Sequence, residues 1–251
     1  MILNIAAYKF VTVDTPESLA AHLQGLAEAH ALLGTVLVAS EGLNLFLAGP
    51  DPGIEAFVDG LRADRRFADI VIKRSRSAAQ PFAKLKIKVK AEIIRFRQPG
   101  TAPLAGRARA LAPTELARWI AQGSDDQGRR LVLLDTRNRQ EVVHGSFAGA
   151  MSLPIDRFTE LPGAVLERRE TLDGAAVVSF CTGGIRCEKA ALWMEAEGIT
   201  NVYQLDGGIL AYFEQVGGYG YDGGCFVFDE RVALDSELKP LASAQAAETI
   251  D

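Results

Sequence analysis

The stretch from Val177 to Met194, VVSFCTGGIRCEKAALWM, places two of the chain's three cysteines, a glycine pair and an arginine in a spacing that can activate sulfur. Cys181 ends an apolar run that reads as a buried strand. Gly183 and Gly184 let the following backbone curl so that successive N–H groups point at one centre. A helix begins after the loop and adds its positive N-terminal end, and Arg186 adds a full positive charge. All of these favour thiolate over thiol. Cys181 is therefore the candidate nucleophile, with Thr182, Gly183, Gly184 and Ile185 as the cradle around it. Cys187 reads either as a second thiol that resolves a disulfide or receives sulfur, or as a small buried residue in the first helical turn.

The elements that must position this loop alternate. RLVLLDTR is a buried strand ending on Asp135 and Arg137, GAAVVSF is the strand before Cys181, and CEKAALWMEAEG is a helix closed by Gly198, with Trp193 and Met194 as core residues. NVYQL and GGILAYFEQVGG repeat the strand-then-helix step. Such alternation predicts a parallel sheet covered on both faces, with ligands at the carboxyl ends of its strands. Earlier in the chain, NIAAYKFV, GTVLVAS, EGLNLFLAG, DIVIKRS and KLKIKVKAEIIRF read as strands around the helices PESLAAHLQGLAEAH and PGIEAFVDGLRADRRF. That order is the ferredoxin-like α+β arrangement. Proline, glycine and alanine replace the periodic pattern between the two halves. The expected organisation is a first domain over residues 1–98, a linker over 99–112, a second domain over 113–217 and a C-terminal extension over 218–251 whose polar end is disordered.

Charge is unevenly spread. Lys73 to Arg97 carries nine basic residues and one acid, Glu92, a net +8 in a chain of net −5, so the remainder sums to −13. Within KLKIKVK, period two puts Lys84, Lys86, Lys88 and Lys90 on one strand face. With Lys73 and Arg74 they form a footprint for a polyanion, although a solvated strand face gives the same pattern. The chain has no run of about 18 apolar residues and its N-terminus lacks signal-peptide features, so a cytoplasmic location and no membrane partner are expected. In that compartment Cys181, Cys187 and Cys225 do not form a disulfide framework. There is no paired CxxC, and His22, His30 and His144 are scattered, so no metal site is expected.

CTGGIR resembles the active-site loop of the rhodanese family, in which a cysteine carries sulfur as a persulfide. Four residues separate Cys181 from Arg186, as in the sulfurtransferases. Phosphatases of the same fold have five, and a cysteine at position 187 is a further departure from them. LLDTRNRQEVVHGSFAGA and VYQLDGGILAY resemble two more rhodanese signatures. The resemblance implies a catalytic set of Cys181, Arg186, Asp135 and Arg137, with Asp135 and Arg137 holding the loops by ion pairs. The longer string CTGGIRCEKA, with FVFDER and the preceding domain, resembles the oxygen-dependent tRNA uridine hydroxylases over most of the chain. This branch implies conversion of the wobble uridine, position 34, to 5-hydroxyuridine by a rhodanese-loop cysteine, with molecular oxygen as co-substrate and no other cofactor evident. It also implies tRNA bound by its anticodon loop and no DNA partner. The basic residues from Lys73 to Lys90 would then neutralise phosphates without reading sequence. Where many members carry EGINGT, this chain has EGLNLF, Glu41 to Phe46. The alternatives are a sulfurtransferase fed by thiosulfate or a donor protein, and an RNA-binding protein whose rhodanese domain senses redox state.

Overall fold

The structure, a computed structural model, describes residues 1–241. The polar end expected to be disordered lies outside the described residues. Period-two patterning makes the strands of the first half one-faced. β1 (Ile2–Phe10), β2 (Leu33–Ala39), β3 (Gly42–Gly49), β4 (Lys73–Ser77) and β5 (Leu85–Val89) form a sheet in the order β4-β1-β3-β2-β5, with α1 (Pro16–Ala29) and α2 (Asp51–Ala63) in the connections. Neighbours are antiparallel except β2 and β5. Leu3, Ile5, Val36, Val38, Leu43 and Leu45 meet Leu23, Phe57 and Leu61 of the two helices in one core. This is the ferredoxin-like arrangement with a fifth strand added. The opposite face, carrying Ala6, Tyr8, Asn44 and Phe46, has no helix of the first domain over it, and the second domain partly covers it.

Two strands differ from the sequence reading. β4 starts at Lys73 and not in DIVI, because Ile70 is drawn into the core below the helices while Val71 is left exposed. β5 stops at Val89. From Ala91 the chain leaves the sheet and buries Ile93 and Phe96 against the second domain, so AEIIRF is a bridge between domains and not a strand.

The second half contains β6 (Ala110–Leu111), α3 (Pro113–Gln122), β7 (Leu131–Asp135), α4 (Arg139–Val142), β8 (Gly145–Phe147), β9 (Met151–Ser152), α5 (Leu161–Leu166), α6 (Arg169–Leu172), β10 (Ala176–Phe180), α7 (Ile185–Ala196), β11 (Val202–Leu205) and α8 (Gly208–Val216). Its sheet is parallel throughout, in the order β6-β11-β10-β7-β9. β6 lies within the stretch read as linker and pairs with β11. β10 is buried on both faces, as its unbroken apolar run requires. Val177 packs with Ala190, Trp193 and Met194 of α7 on one side, and Val178 and Phe180 pack with Ile209 and Tyr212 of α8 on the other. In the C-terminal extension β12 (Tyr221–Gly223) pairs with β8, and β13 (Cys225–Phe226) with β14 (Ala233–Leu234). No helix among the described residues is long and apolar enough to cross a membrane.

Candidate active site

The loop joins β10 to α7 at the carboxyl edge of the parallel sheet. Cys181 is fully buried, and the Gly184 N–H donates to its Sγ at 3.2 Å. Gly184 takes a left-handed φ of +99°, which lets α7 begin directly at Ile185, two residues earlier than the sequence reading. Burial by itself would push the Cys181 thiol up. The Cys187 hydrogen bond, the Arg186 charge and the N–H groups of Arg186 and Gly184 outweigh it and hold Cys181 down to about 5. Burial, followed by the interaction with Cys181, pushes Cys187 well up, so Cys187 is the protonated partner. A second pair of glycines closes the loop from the other side. Gly208 (φ +67°) comes so close that a Cβ there would lie 2.4 Å from the Cys181 carbonyl oxygen, and the Ile209 N–H donates to that oxygen at 2.9 Å.

Behind the loop stand buried ion pairs. Both Nη groups of Arg186 donate to Glu141, at 2.5 and 2.6 Å, and Glu141 also accepts the Asn138 N–H at the start of α4. Asp135 and Arg137, both fully buried, pair with each other at 2.6 Å. Asp135 further accepts from Ser146, and Arg137 donates to the Gly145 carbonyl, tying β7 to β8. The structure thus places Asp135 and Arg137 behind the loop, where they bind each other and do not line the cavity described below. Glu141 lies within the stretch that resembles a rhodanese signature, yet its partnership with Arg186 has no periodic signal.

The first domain completes the site. The Tyr8 hydroxyl packs against Gly184, 2.9 Å from where a Cβ would stand, and donates to Glu188 at 3.2 Å. Burial and then the Glu188 carboxylate push the Tyr8 phenol well up, so it remains a donor. Arg107 also binds Glu188. On the next residue of α7, Lys189 is buried between Glu41 (2.8 Å) and Glu92 (2.7 Å) and donates to the Ile94 carbonyl. The EGLNLF turn therefore docks the domains through Glu41, which also accepts the Ile93 N–H at 2.8 Å. In the extension, Arg231 donates to Ser75 of β4, and Thr182 of the loop donates to the Phe226 carbonyl, so FVFDER straps both domains.

A cavity of about 400 Å³, within the range of small-ligand sites, opens between the domains. Cys181, Thr182 and Gly183 line it from the loop, and Tyr8, Asn44 and Phe46 from the bare sheet face. Phe228, 50% exposed, adds a wall from the extension.

Strand register shows which predicted basic residues share that face. Lys73, Ala6, Phe46, Thr35 and Lys86 form one row across all five strands, and Tyr8, Asn44, Leu37 and Lys88 lie in the next. Lys86 and Lys88 are exposed on the cavity side, the far edge being about 19 Å from Lys73 at the usual strand spacing. Lys84 and Lys90, at the ends of β5, are exposed too. Lys73 differs from the expectation of a solvent-facing phosphate contact. It is half-buried, donates to the Gly183 carbonyl at 2.9 Å and lies over the Tyr8 ring, and burial pulls its ammonium down while the Cys181 charge opposes that. Arg74 points to the helix face and pairs with Glu55 of α2.

Comparison with known proteins gives two domain matches. Residues 2–93 match the UPF0176 acylphosphatase-like domain, and residues 112–215 match the rhodanese-like domain. Over 245 residues, 98% of this chain and 97% of the relative, the chain is 63% identical to the tRNA uridine(34) hydroxylase of Xanthomonas oryzae pv. oryzae. It is 56% identical to the tRNA uridine(34) hydroxylase of Xylella fastidiosa over 96% of this chain and 94% of the relative.

Proposed function

The chain belongs to the tRNA uridine(34) hydroxylase family, and from that premise we propose that Cys181 is the nucleophile with which it hydroxylates uridine 34 of tRNA. The observation that carries this reading is a buried cysteine whose sulfur accepts the Gly184 N–H, in the wall of an interdomain cavity lined also by aromatic and cationic side chains. The uracil ring is electron-poor at C6. Addition of the Cys181 thiolate there spreads negative charge over C5 and the C4 carbonyl oxygen, and the ammonium of Lys73 stands in the same cavity to balance it. C5 is then the electron-rich carbon, and molecular oxygen is the co-substrate whose atom it takes. Loss of the C5 proton and expulsion of Cys181 restore the double bond and leave 5-hydroxyuridine. The second oxygen atom leaves as water, with two electrons and two protons from an external reductant.

Asp135, Arg137 and Glu141 are positioning residues in this reading, since they fix β7, β8 and Arg186 around the loop. An anticodon loop presents position 34 unpaired, so the base enters the cavity at small cost. Lys84, Lys86, Lys88 and Lys90 then lie along the bare sheet face, where they neutralise backbone phosphates. The loop alone suits sulfur transfer equally well; the likeness over nearly the full chain favours hydroxylation.

Addition at C6 has its own signature. With oxygen excluded, wild-type protein in deuterated water should exchange the C5 hydrogen of uridine 34 for deuterium, read by mass spectrometry of the nucleosides, and Cys181→Ala should not. Hydroxylation in air by a protein that catalyses no such exchange would refute the addition step.

A further inference from the structure

Five cations line the cavity around Cys181, namely Lys73, Arg95, Arg97, Arg157 and Arg186, against one acid, Asp156. Two of the cations already have partners: Arg186 grips Glu141 with both Nη groups, and Lys73 donates to the Gly183 carbonyl. Asp156 is itself held by Arg139 at 2.7 Å. Arg95, Arg97 and Arg157 remain, all exposed and all without a carboxylate at ion-pair distance among the described residues.

These three guanidinium groups are mounted on rigid backbone. Phe96, fully buried between Arg95 and Arg97, stacks on Phe158, the neighbour of Arg157, with ring centroids 4.4 Å apart. One aromatic pair therefore fixes the bridge between domains and the loop after β9 side by side. The Glu92 carboxylate accepts the N–H groups of Phe96 (3.0 Å) and Arg97 (3.1 Å) and is in turn bound by Lys189. Arg97 is held there at a φ of +61°, a conformation that non-glycine residues seldom adopt and that the surrounding contacts must enforce. Three exposed guanidinium groups on the lining of one cavity, none with a carboxylate partner, are free to turn toward one anion. The planar fork of guanidinium matches phosphate oxygens in pairs.

We propose that Arg95, Arg97 and Arg157 form a clamp on the phosphates flanking the nucleotide whose base enters the cavity. The inference rests on the tRNA reading above and adds to it the residues that place the base. The lysines of β5 act farther out, as point charges along the stem, whereas the clamp holds position 34 over Cys181. Phosphate contacts of this kind set register and leave identity to the cavity.

The test is binding of an anticodon stem-loop, followed by fluorescence anisotropy over a salt series, to wild type and to the triple variant Arg95→Gln, Arg97→Gln, Arg157→Gln. Because all three side chains are exposed, the variant should keep the wild-type unfolding midpoint. Its plot of log affinity against log salt should be shallower by about 2, at roughly 0.7 per contact to a single strand. A second arm replaces the phosphates on either side of nucleotide 34 with uncharged methylphosphonates. Wild type should lose about tenfold or more in affinity, the loss expected when a charge-assisted hydrogen bond is removed, and the triple variant should be indifferent to the replacement. An unchanged salt slope, or equal sensitivity of both proteins to the methylphosphonates, overturns the clamp. A wild-type protein that does not bind the stem-loop at any salt overturns the tRNA reading and the clamp with it.

Discussion

Replacing Cys187 with alanine should make Cys181 take up its proton at a higher pH while leaving the loop folded. Cys187 lies buried in the first turn of α7, with Thr136 Oγ1 3.6 Å from its sulfur, and its thiol acts on Cys181 as a donor that favours the thiolate. Its own pKa is pushed well up, chiefly by burial, so it remains a donor across the working range. Among the influences that oppose the burial of the Cys181 thiolate, donation from the Cys187 thiol is the largest. A hydrogen bond to a charged group contributes about 1.5–3 kcal/mol, and about 1.36 kcal/mol corresponds to one pH unit. Its loss should therefore raise the Cys181 pKa by about one to two pH units, from about 5 toward neutrality. The sign follows from which form reacts. Wild-type kcat/KM should be level through neutral pH and fall on acidification, and in Cys187→Ala the fall should begin about one to two pH units higher. Serine at position 187 keeps a donor and should restore most of the wild-type profile. The assay is thiolate ultraviolet absorbance titrated beside the pH–rate profile. Cys225, pushed up to about 12 by burial, is silent over that range. A Cys187→Ala protein whose titration and rate profile overlay those of wild type would refute the reasoning.

Other consequences are as direct. Lys189→Met leaves the buried Glu41 and the half-buried Glu92 at the domain junction without their cation, which should cost about 3 kcal/mol in urea unfolding, and adding Glu41→Gln should recover part of it. Gly208→Ala puts a Cβ 2.4 Å from the Cys181 carbonyl oxygen in a left-handed conformation, so hydroxylation should fall at least about tenfold while circular dichroism stays native. The pair Lys86→Gln, Lys88→Gln should weaken tRNA binding and lower its salt slope by about one to two, with kcat unchanged at saturating tRNA.

Both domains were legible because period two and strand–helix alternation come from side-chain direction, which sequence records directly. The Cys181 loop was legible because its glycines, arginine and helix start are contiguous. Pairings across the domain junction were not. Nothing local in the sequence shows that Glu188 and Lys189 are both buried, bound to Tyr8 and Arg107 and to Glu41 and Glu92, partners between 81 and 180 positions away. AEIIRF kept the alternation of the strand before it and so read as strand, because nothing local shows that Ile93 and Phe96 are claimed by another domain. Arg95 and Arg97 fell inside that misread strand, and Arg157 stood alone in a loop, so the three cavity arginines were invisible as a group. The Lys73–Arg74 dipeptide looked like one patch, whereas strand geometry sends its members to opposite faces, one to the active-site loop and one to α2.

The central claim is that Cys181 drives hydroxylation of uridine 34. The most direct measurement is mass spectrometry of tRNA nucleosides from cells lacking this gene, complemented with the wild-type chain or with Cys181→Ala. The account predicts that 5-hydroxyuridine disappears on deletion, returns with wild type and stays absent with Cys181→Ala. Its full return with Cys181→Ala would contradict the account.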